Sequence, residues 1–133
     1  MIVASTGEYY TALVMENNNK ALIESIIRRR KSAHQELLRR GSRVYKAFLD
    51  MESAAYADGK LAAMYKELIA VGISVVIDCE SCMQWHIQQA LACGASEEQV
   101  LEAIEVGIEM GGGPATVSAR FALQVLDYHR HGG

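Results

Sequence analysis

At 133 residues the chain suits one domain with a single core, and half of its residues are hydrophobic, so that core needs neither disulfide nor metal staples. A formal net charge of −3 gives no basic footprint for nucleic acid. No stretch approaches the ~18 apolar residues of a membrane span, and Met1 to Tyr10 lack the basic-then-apolar pattern of a signal peptide; the expectation is a cytoplasmic protein whose thiols are kept reduced.

Met1 to Asn19 shows no convincing helical period and ends in three asparagines. It reads as a loose arm (residues 1–19) ahead of a single domain (residues 20–133). From Lys20 onward apolar residues recur at helical spacing. Ile23, Ile26, Ile27, Ala33, Leu37 and Leu38 mark a first helix that ends at Gly41, a good C-cap. Within it, Arg28, Arg29, Arg30 and Lys31 read as a solvated basic face. Val44, Phe48, Met51 and Ala55 mark a second helix, which gives way at Asp58-Gly59. A third runs from about Lys60 to Ile77 and is apolar around most of its circumference, as expected of a helix buried in the domain or between subunits.

A fourth helix begins near Cys79 and Cys82 and carries Met83, Ile87, Ala90 and Leu91 to Gly94. Ser96 with Gln99 three residues later predicts a capping box for a fifth helix bearing Val100, Ile104 and Ile108. Gly111-Gly112-Gly113-Pro114 breaks it, with Pro114 placed to open a sixth helix that buries Val117, Phe121, Val125 and Leu126. No alternating strand pattern competes, and Val75-Val76-Ile77 continues a helical run. The predicted class is all-α with about six helices.

The chemistry concentrates in Asp78-Cys79-Glu80-Ser81-Cys82-Met83-Gln84-Trp85-His86. Two cysteines with two residues between them near a helix start can bridge with little backbone movement, and free helix N–H groups favour the reactive thiolate. His86, one helical turn after Cys82, can share its face and exchange protons near neutral pH. Glu67 interrupts an apolar helix, and a carboxyl group among apolar neighbours can act as a proton relay. Competing readings of the pair exist. Zinc would take His86 as a third ligand, but no second ligand pair accompanies it, since His34, His129 and His131 are scattered. Haem attachment requires His where this chain has Met83, and a thioredoxin-like site would sit in a βαβ pattern that is missing here. Two incidental core cysteines are the remaining alternative. Cys93, beside Gly94, reads as structural.

Taken together, Glu67, Cys79-x-x-Cys82 and His86 resemble the Glu…Cys-x-x-Cys-x-x-x-His signature of the AhpD-like alkyl hydroperoxidases, within the carboxymuconolactone decarboxylase superfamily. The resemblance covers about Asp58 to Tyr128, including Lys66-Glu67-Leu68-Ile69-Ala70, the Gly94-Ala95-Ser96 turn and the Gly-Gly-Gly-Pro break. It implies an AhpD-like fold with a helical-hairpin core, assembled as a homotrimer or homohexamer. It further implies a thiol-dependent peroxidase or disulfide oxidoreductase that needs no bound cofactor or metal. Its working group would be a redox-active Cys79–Cys82 disulfide, restored by an external dithiol or lipoyl-type partner. By position, Cys82 is the attacking thiolate and Cys79 its resolving partner, with Glu67 and His86 relaying protons. One departure is Ser81, which stands where the alkyl hydroperoxidases carry a histidine; general thiol redox chemistry is thus better supported than peroxidase strength. The alternative within the superfamily is a decarboxylase acting on a small acidic lactone.

Overall fold

The computed structural model describes residues 5–131, and every regular element among them is a helix. In chain order these are α1 (Thr6–Arg39), α2 (Arg43–Tyr56), α3 (Ala63–Val76), α4 (Glu80–Ala92), α5 (Glu97–Gly111) and α6 (Gly113–Arg130). None is long and apolar enough to cross a membrane.

The largest difference from the sequence reading lies at the start. Residues 6–19, expected as an arm without helical order, form the first half of α1. Ser5 caps it, accepting from the Glu8 N–H while the Glu8 carboxylate accepts from the Ser5 N–H. Nearly every side chain of this stretch is exposed. Its helicity therefore rests on the cap and on continuity with the packed half beyond Lys20, not on burial. The first four residues of the expected arm lie outside the described ones.

The core sits among α3, α4, α5 and α6. Val71 and Val75 of α3 meet Met83, Ile87 and Ala90 of α4, Val100 and Ile104 of α5, and Ala122 and Val125 of α6, all essentially sealed from solvent. α1 joins this core through Ile23 and lies along α4 and α6, whereas α2 buries no residue fully. α3 and α5 approach closely at Gly72 and Gly107. A Cβ on Gly107 would stand 2.7 Å from the Gly72 carbonyl oxygen and 3.0 Å from the Val75 Cβ, so only glycine admits this approach.

α3 is not buried around most of its circumference in the single chain. Tyr65, Ile69, Ile73 and Val76, one turn apart, are exposed along one face. The expected capping box at Ser96 and Gln99 is formed, and Gly112, with φ of 69°, makes the break before α6.

Candidate active site

Two helices and the joint between them build the site. α3 ends in a Schellman turn: the Cys79 N–H donates to the Ser74 carbonyl and the Asp78 N–H to the Val75 carbonyl. This turn requires a left-handed residue after the cap, usually glycine, and here Asp78 fills it with φ of 54°. Aspartate tolerates that conformation better than most residues. The buried Ser118 hydroxyl of α6 holds it there, donating to the Asp78 carboxylate at 2.7 Å. The next residue, Cys79, closes α3 and is at the same time the N-cap of α4. Sulfur in place of the usual cap oxygen accepts from the Cys82 N–H at 3.2 Å.

Cys79 and Cys82 are thereby joined as a disulfide, their Cα atoms 5.2 Å apart. In the reduced state the same geometry offers the first-turn N–H groups of α4, and the positive end of its dipole, to a sulfur anion. The turn also folds α3 back against α4, which brings together residues nineteen positions apart. The Glu67 carboxylate and His86 Nδ1 stand 2.7 Å apart, with side chains only 8% and 15% exposed. A carboxylate on Nδ1–H fixes the ring's orientation and leaves Nε2 to exchange a proton. Tyr56, from the end of α2, stacks on the His86 ring with centroids 5.2 Å apart. Burial, reinforced by the Glu67 and Glu52 charges, raises the Tyr56 pKa, so it faces the histidine as a neutral phenol.

The site opens into a cavity of about 590 Å³ between α1, α2 and α4. Ser81, Cys82, Trp85 and His86 form its α4 wall, Phe48 and Leu49 its apolar α2 wall, and Arg30, Lys31 and His34 its α1 wall. Both cysteines are half-buried, and of the two it is Cys82 that lines this space. All four residues singled out from the sequence thus converge: Glu67 on His86, and Cys82 and His86 on one cavity. Cys93, read as structural, is instead an exposed free thiol at the C-cap of α4. Among the described residues, no group of three or more His, Cys, Asp or Glu side chains is placed to hold a metal ion.

Residues 42–125 match the sequence model of the carboxymuconolactone decarboxylase family. The chain belongs to that family. An uncharacterized protein of Cupriavidus necator is 44% identical over 81 residues, covering 61% of this chain and 72% of its own length. An uncharacterized protein encoded in the cox locus of Paracoccus denitrificans is 41% identical over 92 residues, covering 69% and 83%. A Thermotoga maritima crystal structure of the carboxymuconolactone decarboxylase family, described as a candidate for involvement in the antioxidative response, is 29% identical with a TM-score of 0.74. It covers 80% of this chain and 91% of its own.

Beyond the Cys-x-x-Cys segment of this chain, several site residues are not announced by the sequence. Tyr56 and Asp78 carry no signal of their role in their neighbours. Arg30, read as part of a solvated basic face, is half-buried with its guanidinium 4.6 Å from the Trp85 ring centroid, while Arg28, Arg29 and Lys31 are exposed as expected. It also donates to the Oε1 of Gln84, a fully buried side chain. The Gln84 amide nitrogen in turn donates to Gln88 at 3.0 Å and lies 3.1 Å from His129 Nε2. Burial, with help from the Arg30 charge, lowers the His129 pKa, consistent with a neutral ring accepting at Nε2.

Proposed function

We propose that this protein is a thiol-dependent peroxidase and disulfide oxidoreductase working through Cys82 and Cys79. The observation that carries the reading is a bridged cysteine pair at a helix N-terminus, one sulfur of which lines a cavity together with a histidine held by a buried glutamate. Reduced Cys82 attacks the outer oxygen of a hydroperoxide; an S–O bond forms, the O–O bond breaks, and the alkoxide leaves with a proton from the His86–Glu67 pair. Cys82 is then a sulfenic acid. The Cys79 thiolate attacks its sulfur, water departs, and the disulfide forms. An external dithiol, free or on a lipoyl-type carrier, exchanges with that disulfide and restores both thiols as its own sulfurs are oxidised.

Such a cycle needs a steady source of reductant, which favours the cytoplasm. The exposed apolar stripe on α3, with Val106 and Met110 on α5, supports work as a homotrimer or homohexamer. The test is hydroperoxide consumption coupled to dithiol oxidation. Cys82→Ser should abolish turnover and leave the helical content unchanged; full activity in that variant would remove Cys82 from the mechanism. A second reading, decarboxylation of a small acidic lactone, is favoured by the cationic α1 wall of the cavity. That chemistry needs no dithiol, so it would survive Cys82→Ser.

A further inference from the structure

The α1 wall of the cavity holds a cation with no counter-charge. Arg30 is half-buried and, among the described residues, no carboxylate pairs with it; burial alone lowers its pKa. Taking a guanidinium out of water is costly unless an anion or a set of acceptors replaces the water. Gln84 supplies one acceptor and the Trp85 face a second, weaker contact. The fork of a guanidinium has five N–H donors, so most are left for a ligand.

These two contacts also prevent Arg30 from folding away into solvent. Gln84 has its own amide nitrogen engaged by Gln88 and His129, which turns its oxygen toward α1. Lys31 is adjacent on the rim. The lining carboxylate is Glu52, whose charge is felt by Tyr56 beside His86 and which forms no ion pair with Arg30. Phe48, Leu49 and Trp85 supply apolar lining to the cavity that Arg30 and Cys82 share.

We propose that this cavity selects aliphatic carboxylates: Arg30, fixed by Trp85 and Gln84, pairs with the carboxylate of an amphipathic acid whose chain lies against Phe48 and Leu49. If the peroxidase reading above holds, and this last step rests on it, the hydroperoxide reduced at Cys82 is borne on such an acid. Planar, two-pronged pairing with a carboxylate is what a guanidinium offers and an ammonium does not.

Trp85 is the sole tryptophan of the chain and lines the site, so its emission reports occupancy without any turnover. Octanoate and octanamide, alike in shape and different in charge, are titrated into the oxidised full-length protein. Octanoate should give a saturable change and bind about tenfold or more tightly than octanamide. Arg30→Met, which keeps the stem over Trp85, should erase the preference, and Arg30→Lys should retain part of it, with helical content checked for both. Equal binding of the two probes, no saturable change, or a preference surviving in Arg30→Met would overturn the proposal.

A second arm compares a fatty-acid hydroperoxide with its methyl ester in the coupled assay. A lower KM for the acid, lost in Arg30→Met, is expected. Turnover of neither compound beside selective octanoate binding would sink the peroxidase reading and leave the carboxylate site standing. Turnover of both with equal KM would do the reverse.

Discussion

Glu67→Gln isolates the charge of the buried carboxylate while keeping its shape and one acceptor oxygen. The bond it alters is short, 2.7 Å, and lies between side chains 8% and 15% exposed, so water screens it little. A hydrogen bond to a charged group contributes about 1.5–3 kcal/mol net. If that interaction is strongest when the imidazole carries the proton in transit, its loss falls on the barrier, and each 1.36 kcal/mol is tenfold in rate. Turnover should therefore fall by about ten- to 150-fold, the upper end of which reaches the roughly 10²–10⁴-fold that general acid–base groups supply. The assay is hydroperoxide consumption under excess dithiol, with melting temperature measured in parallel; melting should move little, because shape and hydrogen bonding persist. A His86→Gln variant should lose a similar amount, and the double variant should be little worse than the poorer single one, since the two side chains act as one relay. A Glu67→Gln rate within about twofold of the parent, or fully additive losses in the double variant, would refute the relay.

Four further outcomes follow from the packing and the charges. Gly107→Ala places a methyl group 2.7 Å from the Gly72 carbonyl oxygen; it should cost about 1–3 kcal/mol by forcing α3 and α5 apart, read as a lower denaturation midpoint. Ser118→Ala removes the hydroxyl that holds Asp78 in its left-handed turn; it should cost about 1–2 kcal/mol and slow disulfide formation, whereas Asp78→Gly should relieve part of that slowing. His129 has its pKa lowered below the ordinary 6.5 by burial, so the unfolded chain takes up protons first. Stability should then decline as pH falls from about 6.5 toward the folded-state value, and His129→Asn should flatten that decline in thermal melts. Light scattering at micromolar concentration should report a trimer or hexamer; a lone monomer would leave the α3 stripe unexplained.

Much of the site was legible because its logic is local. Cys79, Cys82 and His86 lie on one helix at spacings that the α-helical period converts directly into a shared face. Glu67 stood out as a charge among apolar neighbours, although its pairing with His86 depends on a sharp reversal at Asp78 that no glycine announces. Gln84 could have been found: Gln84, Ile87 and Leu91 fall at i, i+3 and i+7, which places an amide within the apolar stripe of α4. A polar residue on such a stripe must find partners, and Arg30 and His129 are those partners. Arg30 was obscured by its neighbours, since a run of four cations looks uniformly solvated while the helical period turns only one of them inward.

The beginning of α1 went unread for a different reason. Ser5-x-x-Glu8 is a capping-box pattern in plain view, but the residues after it show no apolar period to mark a buried face. A helix whose side chains nearly all meet solvent leaves no periodic trace, so only its cap was available as a signal. The apolar face of α3 shows the opposite limit. Its sequence demanded burial on nearly every side, and a single chain covers only part of it. The homo-oligomer proposed above would cover the remainder.

Peptide mapping by mass spectrometry, after brief exposure of the reduced protein to a small excess of hydroperoxide, reads the proposed Cys82–Cys79 cycle at its sulfurs. A Cys79–Cys82 peptide lighter by two hydrogens is expected, formed within the time of turnover and reversed by dithiol, with Cys93 still a free thiol. Recovery of Cys79 and Cys82 as unmodified thiols while hydroperoxide is being consumed would contradict that cycle.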